Sequence, residues 1–199
     1  MNLPNKLTIA RLIMAFAFVA LMSFPTMATY LVAYAVFVVA AITDYYDGKI
    51  ARQRNLITNF GKLLDPVADK VLISGALVML MQVPGLYIPA WTVVAIIARE
   101  FLVTGARSLA ASEGIVIPAN MWGKTKAVIQ MVYVFVFLAL VIIGDIADSV
   151  ARKMSVLDWR PLSLYHTLVM YGSFLAVIFV ALFTIYAGLQ FMRVGWAAM

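Results

Sequence analysis

"TDYYDGKIARQRNLITNFGKLLDPVADK", residues 43–70, separates two long apolar runs, yet it carries Asp44, Asp47, Asp65 and Asp69 beside Lys49, Arg52, Arg54, Lys62 and Lys70. In a water-soluble protein such a segment would pass as a solvated loop, but the rest of this chain sets a different solvent. Its 199 residues are 65% hydrophobic and 12% charged, with a mean hydropathy of +0.99, whereas soluble domains carry about 25% charged residues. The chain therefore reads as an integral membrane protein. Acids at the margins of its spans need a reason, because an aspartate at the centre of a span costs about 2.5–3.5 kcal/mol on insertion scales, falling toward the interface.

Working outward, six runs approach the roughly 20 residues that cross about 30 Å of hydrocarbon, near 7–24, 28–47, 61–83, 88–110, 123–143 and 164–191. The expected fold is all-α, a polytopic membrane protein with six transmembrane helices forming one domain over residues 1–199. The first run leads into further spans, so it reads as an anchor and not as a cleavable signal. "SFPTMAT" and "MQVPGLYIP" hold proline and no charge and read as tight turns on one side. On that same side, 144–163 reads as a longer linker in which Asp145, Asp148 and Asp158 balance Arg152, Lys153 and Arg160.

Twelve of the fifteen Lys and Arg residues fall on the opposite side, which the positive-inside rule makes cytoplasmic. Both termini and the aspartate segment then face the cytoplasm. The net charge of +6 follows from this topology together with attraction to anionic headgroups; nothing in the chain resembles a nucleic-acid-binding module. With no cysteine and only His166, the chain offers no disulfide framework, thiol nucleophile or histidine-based metal centre. Acid chemistry falls to the carboxylates.

Asp44 and Asp47 are i and i+3, Asp65 and Asp69 are i and i+4, so each pair shares one face of a helix. If the second span ends near Gly48 and the third begins near Gly61, the pairs meet at adjoining helix ends. Converging carboxylates repel unless a cation sits among them, and magnesium uses a few carboxylates plus substrate phosphates. The alternative is interfacial pairing with Lys49, Arg52, Arg54, Lys62 and Lys70. Gly48 and Gly61 present no β-carbon, which suits close approach of a ligand or of a neighbouring helix.

Asp44, Asp47, Gly48, Ala51, Arg52, Gly61, Asp65 and Asp69 match, with every gap intact, the D-x-x-D-G-x-x-A-R-x8-G-x3-D-x3-D signature of the CDP-alcohol phosphotransferases. The resemblance continues through "NLPNKLTIAR", "ARE", "GARSLAASEG" and "GKTKAVIQ", over most of residues 2–130, and in that detail it is similar to the bacterial phosphatidylglycerophosphate synthases. It implies transfer of a phosphatidyl group from CDP-diacylglycerol to an alcohol with release of CMP, in the bacterial inner membrane, by a homodimer. It also implies two divalent cations, magnesium or manganese, on Asp44, Asp47, Asp65 and Asp69, with Asp69 as catalytic base. Gly48, Ala51, Arg52 and Gly61 belong by resemblance to the CDP-binding part. Asn5 and Thr8 resemble residues lining the same pocket, although N-x-x-T serves equally as a helix cap.

A second basic group bears on the acceptor alcohol. Arg99 falls near the middle of its span, where an arginine demands a partner or a wet cavity. Arg107 follows at i+8 on roughly the same face, and Lys124 and Lys126 open the next span. An acceptor carrying its own phosphate needs several cations in one cavity. Glycerol 3-phosphate meets that demand; an inositol phosphate would do so too, whereas free serine or inositol would not need it. As single residues Lys124 and Lys126 read equally as interfacial anchors, and Glu100 is placed to neutralise Arg99. A divalent-cation transporter is the reading from another class, since it too needs intramembrane acids, but broken helices or paired halves are absent from the sequence. The aromatic and Met residues read as lipid-facing or packing surface, Ser74, Gly75 and Ala76 as a close helix contact, and His166 as a headgroup contact.

Overall fold

The computed structural model describes residues 3–53, 59–114, 121–154 and 160–196, and within them the side chains other than 3–4, 44–53, 59–66, 69, 154, 160–161 and 194–196. Six helices follow in order: α1 Leu3–Met22, α2 Met27–Gln53, α3 Asn59–Leu80, α4 Ala90–Ser112, α5 Met121–Met154 and α6 Arg160–Trp196. No strand occurs among the described residues.

The two short connections work as their sequences predict. Thr26 caps α2 reciprocally with Thr29: the Thr29 amide donates to Thr26 Oγ1 at 3.2 Å and the Thr26 amide to Thr29 Oγ1 at 3.1 Å, the arrangement of a capping box with threonine in the third position. Between α3 and α4, Gly85 takes φ +87°, a left-handed value that costs an L side chain roughly 1–2 kcal/mol. The Tyr87 amide donates to Ser173 Oγ at 2.9 Å, tying this turn to α6.

Contacts give the helix directions. α1 and α3 approach closely near their C-terminal ends, since a β-carbon on Gly75 would lie 3.0 Å from Val19 Cγ2; the neighbouring Ala76 is fully buried. α5 runs against α6, with Gln130 Nε2 donating to Thr184 Oγ1 at 3.2 Å near one end and Gly144 beside Tyr165 near the other. α4 runs along α6, joined from Tyr87 and Ser173 at one end to Arg107 and Phe191 at the other. Phe18, Phe37 and Phe135 pack in tilted and edge-to-face pairs at 5.6 and 5.1 Å between ring centroids and fasten α1, α2 and α5 together. The starts of α1, α3 and α5 and the ends of α2, α4 and α6 therefore share one end of the bundle.

The outer surface is apolar. Leu102 is 72% and Leu175 66% exposed, while Arg11 is 2% exposed, the reverse of a soluble protein and the arrangement expected with lipid as solvent. Among the described residues, three helical stretches are long and apolar enough to cross a membrane by themselves: Asn5–Met22, Met121–Lys153 and Leu162–Arg193. Met27–Thr43 and Lys70–Leu80 are shorter apolar stretches among the described residues. α4 carries Arg99, Glu100 and Arg107 along its length.

One expectation is corrected. Residues 144–163 are for the most part helix and not linker, with α5 continuing to Met154 and α6 starting at Arg160. Hydropathy marks where apolar side chains stop, and a helix continues past that point when polar residues keep its backbone bonds. Ser149 Oγ donates to the Asp145 carbonyl at 2.8 Å, and Arg152 Nη2 donates to Ser149 Oγ at 3.3 Å, all within the helix.

Candidate functional site

α2 carries Asp44, Asp47, Gly48, Ala51 and Arg52, and α3 carries Gly61, Asp65 and Asp69. Continuous helix through both segments gives each aspartate pair a common face. The side chains of the signature, and with them the convergence of the four carboxylates, lie outside the described residues. As a donor set, four carboxylates from two helices suit hard divalent ions such as magnesium or manganese. Among the described residues no other group of three or more His, Cys, Asp or Glu is placed to hold a metal.

At the same end of the bundle, α3, α4, α5 and α6 enclose a cavity of about 240 Å3. Arg99, Val103 and Arg107 enter it from α4 at i, i+4 and i+8, with Glu100 and Thr104 beside them. Lys124 and Lys126 enter from the first turns of α5, and Lys70, the residue after Asp69, enters from α3. All four cations that the sequence singles out for a phosphorylated acceptor thus line one space, and Lys70 adds a fifth.

A single carboxylate organises this basic wall. Glu100 Oε1 accepts a hydrogen bond from Arg99 Nη1 at 3.3 Å and pairs with Lys126 Nζ. The side chains of Arg99, Glu100 and Lys126 are only 10–12% exposed, so these charges are largely shielded from bulk water and interact more strongly than an exposed pair would. Arg99 Nε is buried with no hydrogen-bond partner among the described residues. Arg107 lies with its guanidinium carbon 5.2 Å from the Phe191 ring centroid, a cation–π contact across to α6. Among the described residues, five basic side chains and one acid line the cavity, a lining suited to an anion.

Asn5 and Thr8, one turn apart near the start of α1, are 7% and 1% exposed. α1 thus contributes buried polar side chains at that end of the bundle. Sequence reasoning left Lys70 among possible ion-pair partners and Phe191 among packing aromatics. The adjacency of Lys70 to Asp69 in "DPVADK" was a usable signal for the first; Phe191 had none, because only packing brings α6 to Arg107. His166, by contrast, pairs its Nε2 with Asp148 Oδ1 at 3.2 Å at the opposite end of the bundle, away from the cations and the signature.

A family model described as CDP-alcohol phosphatidyltransferase matches residues 1–198. The chain is 43% identical over 149 residues to the CDP-diacylglycerol--glycerol-3-phosphate 3-phosphatidyltransferase of Bacillus subtilis, covering 69% of this chain and 76% of the relative. Proteins of the same name match in Rickettsia bellii, 40% identical over 65% of this chain and 71% of theirs, and in Pseudomonas fluorescens, 38% identical over 70% and 73%. With the signature intact on α2 and α3 and the match running almost end to end, the chain belongs to the CDP-alcohol phosphatidyltransferase family.

Proposed function

We propose that this chain transfers the phosphatidyl group of CDP-diacylglycerol to glycerol 3-phosphate, giving phosphatidylglycerophosphate and CMP. The observation that carries the acceptor assignment is the cavity in which Lys70, Arg99, Arg107, Lys124 and Lys126 face one space beside the aspartate helix. A phosphorylated acceptor offers these cations charge-assisted hydrogen bonds that a neutral alcohol does not. The names of the similar proteins in Bacillus, Rickettsia and Pseudomonas support the same acceptor.

The acceptor hydroxyl oxygen attacks the β-phosphorus of the CDP-lipid, a phosphodiester forms, the bond to the CMP oxygen breaks, and the hydroxyl proton passes to Asp69. Asp44, Asp47, Asp65 and Asp69 would hold two divalent cations, magnesium or manganese, which when bound neutralise the diphosphate and the leaving oxygen. Gly48 and Gly61 admit the nucleotide close to the helix backbone, Ala51 lies within the same turn, and Arg52 offers a bidentate fork to phosphate oxygens. Asn5 and Thr8 complete the nucleotide pocket from α1. The basic cavity holds the acceptor by its phosphate, which orients the free hydroxyl; fixing that geometry lowers the barrier in the manner of an intramolecular reaction.

In this reading all six helices cross the bacterial inner membrane, both termini and the active site face the cytoplasm, and the enzyme works as a homodimer with its acyl chains left in the bilayer. The shared end of the bundle supports it, since that end gathers the basic residues, as the positive-inside rule requires. Purified protein given CDP-diacylglycerol, glycerol 3-phosphate and magnesium should release CMP. Faster release with an inositol phosphate would change the acceptor; release with serine or inositol at equal rate would remove the role of the cavity. Metal flux into vesicles without CMP release would replace the enzyme with a transporter.

A further inference from the structure

The basic cavity is completed by α6, which lies beyond the residue 2–130 stretch that carries the sequence resemblance. A β-carbon on Gly188 would lie 3.0 Å from Arg99 Nε and 3.1 Å from its Cγ. Those contacts fall on the arginine stem and on the inner nitrogen of its guanidinium, so Arg99 has to give by a few tenths of an ångström for a methyl group to fit. The stem has little room to do so: the guanidinium is held by Glu100, which also holds Lys126. One turn further along α6, Phe191, 5% exposed, supports the Arg107 guanidinium at 5.2 Å. A single turn of α6 thus touches both arginines of the cavity.

We infer that Gly188 and Phe191 are positioning residues for acceptor recognition, Gly188 as the notch that seats Arg99 and Phe191 as the platform beneath Arg107. This rests on the reading of the cavity as the acceptor site. Gly188→Ala displaces Arg99 together with its link to Glu100 and Lys126, whereas the nucleotide part of the site, on α1, α2 and α3, is untouched. Phe191→Leu keeps an apolar side chain and removes the ring.

The test is steady-state CMP release by the full-length protein in detergent or vesicles, varying glycerol 3-phosphate and CDP-diacylglycerol separately. Gly188→Ala is expected to raise KM for glycerol 3-phosphate about tenfold with KM for CDP-diacylglycerol unchanged, and Phe191→Leu about two- to fivefold, the range of an exposed cation–π contact. Gly172→Ala is the control, because it lies on the same helix with nothing within 4 Å of the added carbon, and it should leave both KM values as they are. Unchanged acceptor KM in Gly188→Ala and Phe191→Leu overturns the inference, as does an equal rise for both substrates. Should Gly188→Ala fail to fold, Phe191→Leu decides alone. Arg107→Ala separates the two levels: if it raises acceptor KM and the α6 variants do not, only the inference fails, and if it too has no effect, the acceptor reading fails with it.

Discussion

Arg107→Ala is the most direct test of the basic cavity, because it removes function with little disturbance of the fold. Arg107 is an exposed residue on α4 whose guanidinium rests on the ring of Phe191, an interaction of about 0.5–1 kcal/mol at an exposed site. Its loss from a bound complex is larger. A hydrogen bond to a charged group contributes roughly 1.5–3 kcal/mol, or about 10- to 150-fold in affinity. Because Arg107 is exposed and Lys124 lies in the same cavity, the lower end applies, a rise of about tenfold in KM for glycerol 3-phosphate. Neither kcat nor KM for CDP-diacylglycerol should change by more than about twofold, since a lost interaction common to ground and transition states moves KM alone. Arg107→Lys keeps the charge, loses the planar fork and should fall between wild type and alanine. CMP release at varied acceptor concentration measures all of this. Unchanged acceptor KM in Arg107→Ala, or an equal loss toward both substrates, would refute the reasoning.

The remaining expectations concern the metal, the signature and the packing. Asp65→Asn should lower turnover by more than about 100-fold, beyond what loss of an outer-shell partner costs, while its elution from a sizing column and its melting temperature stay near wild type; near-normal turnover would remove Asp65 as a ligand. Treatment with EDTA should abolish CMP release, and added magnesium or manganese should restore it; full activity in the chelator would contradict the divalent requirement. Thr184→Val strands Gln130 Nε2 between α5 and α6 and should cost about 0.6–1.7 kcal/mol, the range for hydrogen bonds between membrane helices. A thermal-shift series should recover most of that loss in the Gln130→Leu, Thr184→Val double variant.

Much of this molecule was legible before any coordinates. Apolar runs are a property of consecutive residues, so the all-helical class and the order of the helices among the described residues followed from hydropathy. The i+3 and i+4 spacings of Asp44, Asp47, Asp65 and Asp69 are equally local, and helix α2 or α3 runs through each pair. Arg99 drew attention because a charge at that depth in a span is costly, and the helix period already put Arg107 on its face. At 144–163 hydropathy and helix part company: hydropathy marks the edge of the apolar medium, whereas the end of a helix is set by its backbone bonds and caps.

What only the tertiary structure decided is which side chains from different helices share one space. Lys70 on α3, Arg99 and Arg107 on α4 and Lys124 and Lys126 on α5 become neighbours across the cavity, a relation that no periodicity within one helix contains. Glu100 emerges as the anion shared by Arg99 and Lys126, and Gly188 and Phe191 as the surface on which both arginines rest. The physical reason is that burial and helix formation are governed by short-range composition, while the position of a charge in a cavity depends on how close two helices approach and at which turn they touch. That is set by small details such as the missing β-carbon at Gly188, whose meaning exists only when Arg99 lies against it.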